Sequence, residues 1–161
     1  MTEPQAVKNS ILIVDDNEAT RALIGRILEQ ELGGDIALAG SAAEAEQQLR
    51  HTRFDVILLD LLMPGISGFE LLRKIRTGTH VNRETPVIVV SVLGDEESLR
   101  RCRALGATFH VVKPIMRESL TRVVADHLPP GRITQRTRPA AAPDTGHITP
   151  SEKPDGPGRP R

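Results

Sequence analysis

Acidic, hydroxyl and basic side chains stand directly after four short apolar segments of this chain. The residues concerned are Asp15, Asp16, Asp60, Ser91 and Lys113. Carboxylate oxygens are hard ligands that suit Mg²⁺, and a carboxylate can also act as a nucleophile. An ammonium group has no lone pair to offer a metal, but it pairs with an anionic group such as phosphate. Brought together, these side chains predict a site that binds a divalent cation and a phosphoryl group.

An acidic residue at the end of one strand is weak evidence by itself, because such residues commonly cap a neighbouring helix or turn. Several carboxylates at one place need another explanation. Two of them about 4 Å apart repel by roughly 4 kcal/mol at an effective dielectric constant of about 20, which raises the pKa of one of the pair. A divalent cation relieves that repulsion, so the pattern indicates Mg²⁺ as a cofactor.

The elements that must position these side chains are short strands alternating with helices. Five apolar runs predict strands, at residues 11–14, 36–39, 56–59, 87–90 and 109–112. Helix-period segments separate them, which is typical of an α/β fold with a doubly wound parallel sheet. Three runs are apolar throughout and are predicted to be central strands, whereas residues 36–39 are expected at an edge. Parallel strands joined by right-handed crossovers end at the same edge of the sheet, where ligands bind.

Polar capping residues mark where helices begin. The candidate N-caps are Asn17, Ser41, Ser67 and Asp95. In the first helix, four apolar residues recur at helical spacing and are predicted to share one buried face: Leu23, Ile24, Ile27 and Leu28. Cys102 lies on the apolar face of the fourth helix and is predicted to be a core residue.

The composition excludes several classes of function. The 161 residues suit one domain with some extra length, and 21 basic residues balance 21 acidic ones, so the net charge gives no support for nucleic-acid binding. Aromatic residues make up only 2% of the chain, which leaves little to stack on bases. No apolar run approaches the length of about 20 residues that crosses a bilayer, and a single cysteine without a signal-peptide pattern indicates the cytoplasm. We therefore expect no direct nucleic-acid contact and no membrane insertion.

Proline content divides the chain into three parts. Residues 129–161 carry eight of the twelve prolines and no leucine, and such a segment buries too little apolar surface to fold alone. We predict a disordered Pro/Arg-rich tail, which is either an electrostatic docking arm or a solvated segment without a specific role. Residues 9–128 form the predicted domain, and residues 1–8 are a predicted flexible N-terminus.

Four segments together resemble the receiver domain of bacterial two-component response regulators. They are ILIVDDN (11–17), VILLDLLMPGISGFELLRKIR (56–76), VIVVS (87–91) and VVKP (111–114). The spacing also fits the family, because 44 positions separate Asp16 from Asp60 and 31 separate Asp60 from Ser91. The resemblance covers residues 9–128. It implies a single-domain receiver protein with a flavodoxin-like (βα)5 doubly wound sheet of strand order 2-1-3-4-5.

The resemblance also implies a role for each residue of the predicted site. Asp60 would be the phosphoacceptor, taking a phosphoryl group from the phosphohistidine of a sensor histidine kinase or a histidine phosphotransfer protein. Lys113 would pair with a phosphoryl oxygen, and Ser91 would be the switch hydroxyl that draws the following loop inward. The protein ligands of Mg²⁺ would be Asp16, Asp60, Asp15 through water and the backbone carbonyl of Leu62. Pro114 would follow a cis peptide bond that points Lys113 into the site.

Two departures from the family pattern affect switching and signal lifetime. His110 occupies the position where the family usually has a tyrosine or phenylalanine whose rotamer follows the switch hydroxyl. It predicts an altered or pH-sensitive coupling, or alternatively a partly exposed histidine on an output surface. Three bulky apolar residues, Leu62, Val92 and Leu93, would line the route of water to the acyl phosphate. They predict slow hydrolysis and a long-lived phosphorylated state.

Output would go through protein contacts, since nothing after residue 128 has the periodicity of a DNA-binding or catalytic module. The expected surface for an unidentified downstream protein is formed by the fourth helix, the fifth strand and the fifth helix, and carries Arg100, Arg101, Arg103, Arg117 and Arg122. Such a protein would catalyse only its own phosphorylation and autodephosphorylation. One alternative is a phosphatase of the haloacid dehalogenase type, which requires a second acidic residue at the position of Leu62. Another is a receiver-like scaffold that works without phosphorylation.

Overall fold

The computed structural model describes residues 7–130, in which five parallel strands alternate with five helices. The strands are β1 (Ser10–Val14), β2 (Asp35–Ala39), β3 (Val56–Leu59), β4 (Val87–Ser91) and β5 (Phe109–Val112). The helices are α1 (Glu18–Leu32), α2 (Ala42–His51), α3 (Gly68–Thr77), α4 (Glu96–Ala104) and α5 (Arg117–His127). None of these helices is long and apolar enough to cross a membrane. Most of the predicted tail and of the predicted N-terminal segment lies outside the described residues.

The strands form one sheet in the order β2-β1-β3-β4-β5, and every neighbouring pair is parallel. This confirms the predicted flavodoxin-like arrangement, with β2 and β5 at the edges. The register places Val14 of β1 beside Leu59 of β3, and Leu59 beside Val89 of β4. Because these partners are level, the residues that follow β1 and β3 leave the sheet side by side.

Helices cover both faces of the sheet, which explains why the central strands are apolar at every position. On one face, Leu12 and Val14 belong to a buried cluster that includes Leu71 and Ile75 of α3. On the other face, Ile11 and Ile13 pack in a cluster with residues of α1 and α5, among them Ile24, Leu28, Leu120 and Val124. Alternate residues of β1 therefore serve two separate cores, as the period of a strand requires.

The helix starts agree with the predicted caps, but one predicted core residue is wrong. The side chains of Asn17, Ser41, Ser67 and Asp95 accept backbone hydrogen bonds at the starts of α1, α2, α3 and α4. Leu23, however, is 52% exposed, while Ile24, Ile27 and Leu28 are buried. One residue step turns a helix by about 100°, so Leu23 lies beyond the stripe that meets the sheet. Cys102 is buried, as predicted.

A buried asparagine holds the loop that leads into β4. The Oδ1 atom of Asn82 accepts a hydrogen bond from the Phe54 N–H at 2.8 Å. Its Nδ2 donates to the carbonyl oxygens of Leu49 at 2.9 Å and Thr52 at 2.7 Å. The Thr85 hydroxyl lies 3.2 Å from the same Oδ1. One amide side chain thus joins the end of α2, the approach to β3 and the approach to β4.

Replacing Asn82 with alanine leaves a buried N–H and two carbonyl groups without their partners, and each such group costs about 1–3 kcal/mol. We expect Asn82→Ala to lower the free energy of unfolding in urea by about 3 kcal/mol. Arg83→Ala, which changes an exposed neighbour, is the control and should alter it by less than about 0.5 kcal/mol. Equal stabilities of the two variants would contradict the role of this network.

Candidate functional site

Three carboxylates meet at the carboxyl end of the sheet. Asp15 and Asp16 follow β1, Asp60 follows β3, and one oxygen of each lies within 4.8 Å of the others. Asp15 and Asp60 are 2% and 6% exposed, whereas Asp16 faces solvent. The predicted acidic cluster is therefore formed, because the register of the two central strands brings their ends level.

Asp15 is held from both sides of its carboxylate. Its Oδ1 accepts a hydrogen bond from the Asn17 N–H at 2.9 Å, and its Oδ2 accepts one from the Lys113 ammonium at 2.8 Å. Its own backbone N–H donates to the carbonyl of Ala39 at 3.1 Å, which extends the pairing of β1 with β2 by one residue. A buried carboxylate requires such partners, since an unpaired charge is costly away from water.

Asp60 is held less closely than Asp15, and its pKa is raised. Its Oδ1 accepts a hydrogen bond from the Leu62 N–H at 3.3 Å, and its Oδ2 lies 3.6 Å from the Lys113 ammonium. Burial raises the pKa of Asp60 above its ordinary value, and the charges of Asp15 and Asp16 add to that rise, while Lys113 opposes it. The repulsion inferred from the sequence is therefore present at this carboxyl group.

Lys113 is the positive charge of the cluster. Burial lowers the pKa of its ammonium group, but the hydrogen bond to Asp15 and the charge of Asp60 outweigh burial, so the pKa is raised overall. The ammonium therefore stays protonated. Its backbone N–H donates to the Ser91 carbonyl at 2.9 Å, and the Lys113–Pro114 peptide bond is cis, as the resemblance implied.

The loop after Asp60 packs directly on the strand that it leaves. The Gly68 N–H donates to the Leu61 carbonyl at 3.0 Å. A Cβ atom at Gly68 would collide with the backbone carbonyl oxygen of Asp60. Glycine at the first position of α3 therefore allows this helix to approach the strand end closely.

The switch residues named from the resemblance lie on β4 and β5. Ser91 is fully buried, and its hydroxyl oxygen accepts a hydrogen bond from the Leu93 N–H at 3.3 Å, which ties it to the loop after β4. Both ring nitrogens of His110 are buried, and neither makes a hydrogen bond of good geometry with the described residues. Burial lowers the pKa of His110, while the Leu93 backbone and the Asp95 carboxylate oppose that shift. The residue as a whole is only partly buried, so its coupling role and its place on an output surface both stay predictions.

The apolar residues assigned to the water route stand at the surface beside the cluster. Leu62 is 50% exposed and Val92 is 59% exposed. Leu93 is partly buried and packs against a small cluster that includes Leu61 and Phe69. The Leu62 N–H donates to the Asp60 carboxylate, so the Leu62 side chain begins beside that carboxylate.

One residue of the site was missed in the sequence. The Arg21 guanidinium, on α1, donates from Nη1 to the backbone carbonyl of Asp15 at 2.6 Å. An arginine on a helix ordinarily indicates a solvated surface, and its target is a main-chain atom, which no side-chain pattern marks. The signal that could have found it is Gly40, which leaves the space that this guanidinium fills.

Comparisons with known proteins agree with this geometry. The family model described as the response regulator receiver domain matches residues 11–125. The sensory/regulatory protein RpfC of Xanthomonas campestris pv. campestris is 30% identical over 136 residues, which are 84% of this chain and 18% of that protein. Sporulation initiation phosphotransferase F of Bacillus subtilis is 28% identical over 123 residues, 76% of this chain and 96% of that protein. This chain thus spans less than a fifth of the length of the first relative.

Among solved structures, chemotaxis response regulator CheY4 of Vibrio cholerae superposes with a TM-score of 0.70 at 29% identity. The match covers 75% of this chain and 99% of that one. The backbone similarity therefore extends over nearly all of the fold described above.

Protonation of His110 should weaken the folded state. Its pKa is lowered on folding from an ordinary value of 6.5, so the unfolded chain binds more protons as the pH falls through that value. Neutral His110 contributes all of this stability above pH 6.5, and the contribution is lost as the pH falls toward the pKa of His110 in the folded protein. We expect His110→Phe to lose less stability than the wild type between about pH 7.5 and about pH 5.5 in urea unfolding. Exposed His51→Phe is the control, and equal losses in the wild type and His110→Phe would contradict this account.

Proposed function

This chain belongs to the family of response regulator receiver domains, and from that premise we propose that it accepts a phosphoryl group on Asp60 in a Mg²⁺-dependent reaction. As a receiver domain it is a component of two-component signalling. The donor would be the phosphohistidine of a sensor histidine kinase or a histidine phosphotransfer protein in the cytoplasm. The observation that carries the proposal is the meeting of three carboxylates and one ammonium group at the end of the sheet.

The residues present fit a magnesium ion. Asp15, Asp16 and Asp60 offer only oxygen ligands, and their oxygens lie within 4.8 Å of one another. Hard oxygen donors are the ligands that Mg²⁺ prefers. Burial raises the pKa of Asp60, the charges of Asp15 and Asp16 add to that rise, and the charge of a bound cation would oppose it. The Leu62 carbonyl is proposed as a further ligand. When bound, the ion supplies positive charge against the charge that develops on the transferring phosphoryl group.

Asp60 is the group positioned to react. Its carboxylate oxygen would form a bond to phosphorus as the bond from phosphorus to the donor's histidine nitrogen breaks, and the electron pair of that bond returns to the imidazole. The reaction requires the ionised carboxylate. Lys113 favours that form by its charge, and its ammonium, 3.6 Å from Oδ2, can pair with an oxygen of the phosphoryl group that Asp60 accepts.

The output would be a change in protein contacts at the face of α4, β5 and α5. Four large apolar side chains are exposed in this part of the molecule: Val92, Phe109, Val112 and Met116. Of the arginines predicted there, Arg101 lies over the Phe69 ring at 4.1 Å, and Arg117 pairs with Glu31 at 3.2 Å. We propose that Ser91 and His110 connect this face to Asp60, and that a downstream protein binds it.

The two alternatives make different demands on the site. A haloacid dehalogenase-type phosphatase needs a second acid at the position of Leu62, and leucine cannot supply it. We propose instead that the chain catalyses only its own phosphorylation and autodephosphorylation. A scaffold that works without phosphorylation would not need the whole set of Asp15, Asp16, Asp60, Ser91 and Lys113. The reaction with a small phosphodonor separates this second alternative from our proposal.

Incubation with Mg²⁺ and acetyl phosphate should add one phosphoryl group to the protein, detected as an increase in intact mass. Asp60→Asn or removal of Mg²⁺ with a chelator should abolish the addition. Asp126→Asn, an exposed carboxylate of α5, is the control and should be phosphorylated like the wild type. An unmodified wild type would support the scaffold, and a modified Asp60→Asn would show that another residue is the acceptor.

The phosphorylated state should persist because Leu62 offers no group that orients water. We expect Leu62→Asn to speed dephosphorylation about tenfold, the effect of one hydrogen bond of about 1.4 kcal/mol in the transition state. The measurement follows the loss of the added mass after acetyl phosphate is removed. Ile66→Asn, in the same loop, is the control and should retain the wild-type rate. A wild-type half-life of seconds that Leu62→Asn leaves unchanged would contradict the role of Leu62.

A further inference from the structure

We infer that Arg21 is a positioning residue of the metal site and that it acts through the backbone of Asp15. Gly40 is required because a larger residue there would occupy the space of the Arg21 guanidinium. The inference rests on the proposed Mg²⁺ function. The guanidinium donates to the Asp15 carbonyl at 2.6 Å, in a partly buried setting. A charged donor makes this a strong hydrogen bond.

The Asp15 carbonyl needs a donor because the backbone pairing between β1 and β2 stops there. The Asp15 N–H still bonds to the Ala39 carbonyl at 3.1 Å. In a parallel ladder of this register the Ser41 N–H would be the next donor, but no backbone hydrogen bond to the Asp15 carbonyl is found within residues 7–130. Arg21 supplies a donor to the Asp15 carbonyl, which belongs to the peptide unit between Asp15 and Asp16.

This peptide unit precedes the Asp16 Cα atom, so its orientation limits the directions that the Asp16 carboxylate can take. The Asp15 side chain is already held by Lys113 and Asn17. Asp16 is exposed, and no side-chain hydrogen bond of its carboxylate is found within residues 7–130. The backbone therefore positions this ligand, and Arg21 holds that backbone before Asp16, while the Asn17 N–H bond to Asp15 holds it after Asp16.

Gly40 completes the arrangement. A Cβ atom at this position would lie 2.9 Å from the Arg21 Nη1 and 3.3 Å from its Cζ. The backbone of Gly40 is not in the left-handed region, so alanine is tolerated there except for its contact with the guanidinium. Gly40→Ala should therefore displace Arg21 without straining the chain.

The first test is a double-mutant cycle read as the Mg²⁺ dissociation constant by calorimetry. Arg21→Met should raise this constant about tenfold, as loss of an outer partner of a metal ligand does, and Arg21→Lys should restore most of the affinity. Gly40→Ala should weaken binding in the wild type and have no further effect in Arg21→Met. Arg26→Met, an exposed arginine of the same helix, should bind like the wild type. Equal affinities of Arg21→Met and Arg26→Met, or additive effects of Arg21→Met and Gly40→Ala, would overturn the inference.

The second test needs no metal and separates this inference from the proposed function. In Mg²⁺-free protein, Arg21→Met should increase hydrogen exchange at the Asp15 and Asn17 amides, which donate to the Ala39 carbonyl and the Asp15 carboxylate, whereas Arg26→Met should not. Unchanged exchange would overturn the role of Arg21 even if the wild type binds Mg²⁺. Increased exchange in a protein that does not bind Mg²⁺ would support Arg21 as a backbone support and refute the proposed function.

Discussion

The repulsion among three carboxylates crowded at the end of one sheet is the constraint on which the rest of the site depends. Burial and the two neighbouring acids raise the pKa of Asp60, and the Lys113 ammonium group opposes them. Acidic side chains placed so close together must be attached to backbone segments that are firmly held in the fold. Here those segments are held by the ladder of β1, the Lys113–Pro114 corner after β5 and the close packing of Gly68 on Asp60. A cation bound among these acids, as we propose, would relieve their repulsion.

The same fold divides into a rigid half and a weakly anchored half. β1, β3 and β4 are almost wholly buried and set the positions of the reacting groups. By contrast, α4 buries only Cys102, and no residue of β5 is fully buried. Elements with few buried contacts rearrange at the lowest free-energy cost. We therefore propose that a change at Ser91 or His110 shifts α4 and β5 while the proposed metal ligands stay in place.

Much of this architecture follows from the sequence, for identifiable reasons. The apolar central strands, the caps at Asn17 and Asp95 and the convergence of acids depend on local period and on the geometry of parallel sheets. The strand order came from the family resemblance, because local patterns do not rank neighbours across a sheet. Leu23 was wrongly predicted to be buried, because a period of 3.6 residues does not indicate how much of the α1 surface the sheet covers. Arg21 and Asn82 were not foreseen, because each bonds main-chain atoms that only the completed fold brings within reach.

The acids at the ends of β1 and β3 should form one cation site. Mn²⁺ replaces Mg²⁺ at oxygen ligands, and its unpaired electrons broaden the nuclear magnetic resonance signals of nearby amides. Titration of the protein with Mn²⁺ should broaden the amides of residues 15–17 and 60–63 first, and excess Mg²⁺ should restore them. Broadening centred on other acids, such as Glu96 and Glu97 at the start of α4, with residues 15–17 and 60–63 unaffected, would contradict the claim.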